Sequence, residues 1–264
     1  MTMKTNYHTH TTRCMHAVGT DEAYVKSALK GGYQVLGFAE HTPWKYRTDY
    51  VADMRMLPDQ LPDYVESLRA LREKYQGQID IRIGLECEYF PEYMHWLKEQ
   101  IKQYKLDYII FGNHFYHTDE KFPYFGHHCD SRDMLDLYEE SAIEGMETGL
   151  YCCLAHPDLF MRSYPKWDHH CTLISRHICR TAARLNVPLE YNIGYLAYNE
   201  AHGLQTYPDP DFWRIAANEG CTAIIGLDAH NNADLETTTY YDRAVQALKE
   251  LKIKVTDTLK MNQW

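Results

Sequence analysis

Asn6-Tyr7-His8-Thr9-His10 is the stretch from which the rest of the chain can be read. In an extended run it puts His8 and His10 on one face, about 6.5–7 Å apart along the backbone, a spacing that suits two ligands of one metal ion. Asp228-Ala229-His230 repeats the pattern near the far end of the sequence. Between the two pairs, short apolar runs read as strands at 35–39, 79–85, 108–112, 151–155, 188–192 and 223–227, which with 6–8 makes seven. Stretches with helical spacing alternate with them, at 21–30, 59–75, 92–104, 133–148, 169–185, 211–219 and 242–251. Thr20, Asp59 and Ser131 stand where N-caps are expected, and Gly31, Gly77, Gly149 and Gly220 where helices stop.

This βα alternation predicts an α/β fold with a parallel sheet. Seven repeats without a linker favour a closed or nearly closed, TIM-like (β/α)7 barrel, one domain over residues 1–264. An open doubly wound sheet is the competitor, but its glycine-rich phosphate loop is absent. Barrel enzymes build their sites where the strands end, so the residues after each strand are the candidates. They form a coherent set: His8, His10 and then His16; Glu40 and His41; Glu86; Asn113 and His114; His156 and Asp158; Glu190 and Asn192; Asp228 and His230. Histidines satisfied by backbone hydrogen bonds would explain any one of these, but not their recurrence at strand after strand.

Composition narrows the field. A formal net charge of −10 argues against an extended nucleic-acid partner, which needs a basic surface. No segment approaches the roughly 18–20 apolar residues that span a bilayer, and the first seven residues hold no apolar run, so no membrane partner and a cytoplasmic location are expected. Eight cysteines without a C-x-x-C pair read as reduced, mostly buried thiols. Clustered metals would still make one pocket locally positive, suited to a small phosphorylated substrate. The 22 tyrosines lack the interleaved basic residues of a nucleic-acid surface and read as packing, with Tyr191, Tyr195, Tyr198 and Tyr207 grouped after the sixth strand. The tandem pairs His127-His128 and His169-His170 read as surface.

His8-x-His10, His16, His41, Glu86, His114, His156 and Asp228-x-His230 resemble the nine-ligand signature of the polymerase and histidinol phosphatase (PHP) superfamily, along essentially the whole chain. The resemblance implies a distorted (β/α)7 barrel with a cluster of two or three metals. It implies that His8, His10, Glu86 and Asp228 hold the first metal, that Glu86 bridges to a second held by His114 and His156, and that His16, His41 and His230 hold the third. A carboxylate can bridge two cations where a neutral imidazole cannot, and mostly imidazole ligands favour Zn, Fe or Mn. The implied activity is metal-dependent hydrolysis of a phosphoric monoester, first of all L-histidinol phosphate in histidine biosynthesis. A nucleotide, another small phosphoester or phosphotyrosine is the alternative substrate, and a non-catalytic metal-binding module the alternative class. A metal-activated water would attack phosphorus in line, with Glu86, Asp228 and His230 as catalytic candidates and Asp228 or His230 passing a proton to the leaving group. Arg162, Arg13 and His117 are the substrate-binding candidates, a guanidinium fork matching phosphate geometry. Glu40 is a candidate to orient a ligand imidazole. One departure is visible: related histidinol phosphatases often carry an Arg shortly after the Asn of strand six, whereas Ile193-Gly-Tyr-Leu-Ala-Tyr198 follows Asn192 here.

Overall fold

In the computed structural model, which describes residues 3–261, the apolar runs become β1 (Thr5–Asn6), β2 (Val35–His41), β3 (Asp80–Cys87), β4 (Tyr108–Gly112), β5 (Leu154–Ala155), β6 (Leu189–Asn192) and β7 (Thr222–Gly226). They pair in parallel in chain order, as the βα alternation predicts. An eighth strand, β8 (Lys254–Val255), pairs with β7 and was not foreseen. It is two residues long and one of them is an exposed lysine, so no apolar run marks it.

The eighth strand explains how the sheet curls. Past the strand ends, Thr9 bridges Ala229 and Val18 bridges Asn231, both in parallel. His10 N–H donates to Ala229 O at 3.0 Å, Ala229 N–H donates to His8 O at 3.1 Å, and Leu227 N–H donates to Asn6 Oδ1 at 2.9 Å. The continuations of the first and seventh strands therefore meet at the C-terminal end. At the opposite end Thr222 and Ala223 pair with β8 instead, and Thr5 Oγ1 donates to Asp257 O at 2.7 Å just beyond it. The (β/α)7 barrel closes around the residues that carry the chemistry and is wedged open where it carries none.

Helices cover the outside. They are α1 (Asp21–Lys30), α2 (Leu61–Lys74), α3 (Met94–Tyr104), α4 (Phe125–His128), α5 (Arg132–Glu147), α6 (His169–Leu185), α7 (Gly194–His202), α8 (Pro210–Asn218) and α9 (Thr239–Glu250). Thr20 and Ser131 cap α1 and α5, each side chain accepting the N–H three residues on. Asp59 does not cap α2: a 3-10 turn at Pro58–Gln60 takes that place and the helix starts at Leu61. The sequence reading missed α4 and α7, and α7 buries only Asn199, so it offers no apolar stripe.

A small core plugs the barrel below the site. The hydroxyl of Tyr108 meets the carbonyls of Tyr7 at 2.6 Å and Phe38 at 3.0 Å. Gly37 makes room for it, since a Cβ there would lie 2.4 Å from the Tyr108 hydroxyl oxygen. A larger core packs the helices on the sheet. All eight cysteines are buried, and no helix among the described residues is long and apolar enough to cross a membrane.

Candidate metal centre

The strand ends bring the nine predicted ligands to the floor of one cleft. His8 Nε2, His10 Nε2, Glu86 Oε2 and Asp228 Oδ1 face one another. His8 and His10 are 3.1 Å apart, Asp228 lies 3.3 Å from His8 and 3.1 Å from His10, and Glu86 lies 3.5 and 3.6 Å from the two. Bonds of about 2.0–2.1 Å to a tetrahedral cation put neighbouring ligand atoms about 3.3–3.4 Å apart. His8 and His10 thus stand at metal-ligand separations from each other and from both carboxylates.

The other oxygen of Glu86 faces a second set. Glu86 Oε1 lies 2.9 Å from His156 Nε2 and 3.2 Å from His114 Nε2, and those two nitrogens are 3.2 Å apart. One carboxylate therefore looks two ways. Donor atoms of His16, His41 and His230 come within 4.8 Å of one another in a third group, where the His16 and His230 rings stack at 4.6 Å. His230 Nε2 is buried there without a hydrogen-bond partner among the described residues. His41 also reaches back to the first group, its Nδ1 lying 3.0 Å from Glu86 Oε2.

Five of the seven imidazoles are anchored through their other nitrogen. His8 Nδ1 meets Glu190 at 2.8 Å, His10 Nδ1 meets Glu40 at 3.2 Å, and His114 Nδ1 meets Glu88 at 3.0 Å. His16 Nδ1 and His230 Nδ1 meet the carbonyls of Cys14 at 2.7 Å and Asp228 at 2.9 Å. Such partners fix the tautomer and leave Nε2 as the electron-pair donor. Glu40 does orient an imidazole, that of His10, while holding the backbone N–H of His41 at 2.9 Å. Glu88 was missed by the sequence reading. It follows Glu86 by two residues, which is a visible signal, but its role depends on Arg55, buried with it and donating to both Glu88 and Asp119.

Charge follows the same design. Burial alone would hold the imidazoles neutral, yet Asp228, Glu190 and Glu86 raise the His8 pKa well above its usual value. Against the same opposition, carboxylates raise His10 to about 9 and His114 to about 10. Burial opposes ionisation of Glu86 and Asp228 as well, but the surrounding imidazoles hold both far below the usual carboxylate range. Burial and the nearby His10 lower His41 to about 3 and His230 to about 4. Without metal, Glu86 and Asp228 are anions set among His8, His10 and His114 as protonated imidazoles, with His41 and His230 neutral beside them.

The backbone is strained to achieve it. His156 and Asp228 have φ of 28° and 49°, a left-handed region that costs non-glycine residues about 1–3 kcal/mol. Gly112 contributes by what it lacks: a Cβ there would lie 2.5 Å from Glu86 Oε1 and 2.6 Å from His114 Cε1.

Above this floor opens a cleft of about 700 Å³. Arg162, in the 3-10 turn Leu159–Arg162, lines it as expected and has no carboxylate within ion-pairing distance among the described residues. Its guanidinium lies between two rings, 4.8 Å from the centre of Tyr195 and 5.8 Å from that of Tyr124. Tyr195 and Tyr207 stack at 4.7 Å along the same wall. Tyr191 instead packs on Trp213, and Tyr198 is exposed.

The other two substrate-binding candidates are placed elsewhere. Arg13 is held by Asp21 at 3.0 Å and Asp63 at 2.8 Å and borders a separate groove, so two carboxylates already satisfy it. His117 pairs with Glu144 at 2.6 Å and stacks on Tyr116, away from the cleft lining. Neither position was readable from the sequence, because Asp63 and Glu144, 50 and 27 residues along, sit on other elements.

The family model described as the PHP domain matches residues 6–194. A probable histidinol-phosphatase of Deinococcus radiodurans is 29% identical, over 96% of this chain and 94% of the relative. The histidinol-phosphatase of Bacillus subtilis is 33% identical over 45% of this chain and 47% of its own length. Among solved structures, a histidinol phosphate phosphatase from Lactococcus lactis, complexed with zinc, L-histidinol and phosphate, superposes with a TM-score of 0.75 at 19% identity. The superposition covers 98% of this chain and 99% of that one, and it shows the shared fold.

Proposed function

The chain belongs to the PHP domain family, and on that premise we propose that it is a metal-dependent phosphoric monoester hydrolase converting L-histidinol phosphate and water to L-histidinol and phosphate. The observation that carries the reading is Glu86, whose two oxygens face two separate sets of imidazoles. Relatives named histidinol-phosphatase, one of them alike over nearly the whole chain, support the substrate, and the zinc complex of the Lactococcus lactis structure supports divalent metal.

In this reading His8, His10, Glu86 and Asp228 would hold one ion and Glu86, His114 and His156 a second. His16, His41 and His230 would hold a third, with Zn, Fe or Mn as the ions the donor set suits. When bound, such ions supply Lewis-acid activation of water and neutralise charge on the phosphoryl group. The chain's own residues do the rest. Glu86 fixes the spacing of the first two sets, and Glu190, Glu40 and Glu88 keep the imidazoles aimed. Arg162 offers an unpaired guanidinium to a phosphoryl oxygen. Asp228 has its second oxygen 3.2 Å from the Asn192 amide, which orients it as the residue to manage a proton at the leaving oxygen.

Steady-state kinetics of the metal-loaded protein test the reading, with L-histidinol phosphate beside a panel of phosphomonoesters, nucleotides, diesters and a phosphotyrosyl peptide. The expected result is a kcat/KM for histidinol phosphate well above the panel. Equal values for generic esters would remove the substrate assignment, and no turnover of any of them would remove the hydrolase assignment.

A further inference from the structure

One wall of the cleft carries a hydroxyl whose proton has no acceptor among the described residues. Tyr124, just before α4, accepts a hydrogen bond from Arg162 Nη1 at 3.4 Å through its hydroxyl oxygen, and its O–H has no partner beyond that. The ring is fixed from several sides. Its centre is 5.8 Å from that of His114 and 5.6 Å from that of Phe115, and the next residue, Phe125, donates its N–H to His114 O at 2.8 Å. Gly126 leaves the space the phenol fills, since a Cβ there would lie 2.5 Å from Tyr124 Cε1 and 2.8 Å from its hydroxyl oxygen.

These constraints hold a donor at the junction between Arg162 and the His114 side of the floor. Packing alone would explain a ring there, but not a hydroxyl turned to a guanidinium that itself lacks an anion. We propose that Tyr124 and Arg162 form a two-residue anion clamp, in which the Tyr124 hydroxyl donates a hydrogen bond to a phosphoryl oxygen seated beside His114 while the guanidinium neutralises its charge. The clamp rests on reading the cleft as a phosphomonoesterase and adds to it the residue that sets the phosphate's orientation. Tyr195 supports the pair from below by stacking on the guanidinium.

Tyr124→Phe keeps the ring and removes only the donor. Zinc-loaded wild type and Y124F are titrated with inorganic phosphate by calorimetry, with metal content and melting temperature measured on the same samples. Loss of one hydrogen bond to a charged acceptor should raise the phosphate Kd about 10- to 100-fold. The kcat/KM for p-nitrophenyl phosphate should fall by a similar factor while metal content and melting temperature hold. An unchanged phosphate Kd, or a weakening that tracks lost metal, overturns the clamp. A wild type that binds phosphate but hydrolyses no phosphomonoester would sink the hydrolase reading instead, and the binding comparison would still decide the clamp.

Discussion

The floor of the cleft is made of imidazoles and carboxylates at strand ends, most of them tied from behind by a buried glutamate or a backbone carbonyl. The stretch of wall around Arg162 is a row of aromatic rings carried by loops and by α7, with ring faces in place of charged partners for the guanidinium. The floor is therefore set before any ligand arrives: its donors stand at metal-ligand separations and its backbone holds strain to keep them there. Such over-determination suits a centre whose geometry governs the chemistry itself. The wall holds its cation without neutralising it, which suits a surface that binds and orients an incoming anion.

The contrast can be broken most severely at Glu86. Glu86→Gln should cut kcat/KM by at least about a thousandfold and lower metal content, because one residue serves two donor sets; a fully active, metal-replete variant would contradict the shared role. A smaller loss is expected one layer back. Glu190→Gln, which weakens the anchor on His8, should lower metal affinity about 10- to 100-fold, read by competition with a chromophoric chelator, with activity restored by excess metal. Arg162→Ala should sharpen the contrast from the other side. It should cost about 10- to 100-fold in kcat/KM, chiefly through KM, and leave metal content unchanged.

The smallest effect is a proton count. His8, His10 and His114 have raised pKa values in the metal-free protein, so they hold protons at neutral pH that a metal must displace. Metal uptake at pH 7 should release about three protons, counted by calorimetry in buffers of different ionisation enthalpy. Affinity should rise with pH toward the higher of these pKa values and fall as the pH drops.

The same division governs what the sequence could show. Residues of the floor stand at strand ends, where period-two spacing and the apolar runs before them mark position and direction together, so His8, His10, Glu86 and Asp228 were legible. Helices with a clear apolar stripe, such as α1 and α6, fall on their expected bounds. The wall depends on contacts between distant segments. The same holds for Arg13, which lies outside the cleft because Asp21 and Asp63, 8 and 50 residues on, neutralise it. Tyr124 sits in a loop whose course no periodicity reveals, and Glu88 takes its meaning from Arg55 and His114 on other elements. The strand β8 that wedges the opposite end open was hidden in two residues with no apolar signature.

Diffraction from crystals of the metal-loaded protein at the zinc absorption edge tests the central claim most directly. The account expects anomalous peaks within bonding distance of His8, His10, Glu86 and Asp228 and of Glu86, His114 and His156, with the two peaks sharing the Glu86 carboxylate. A metal-replete, active protein whose peaks lie away from Glu86 would contradict it.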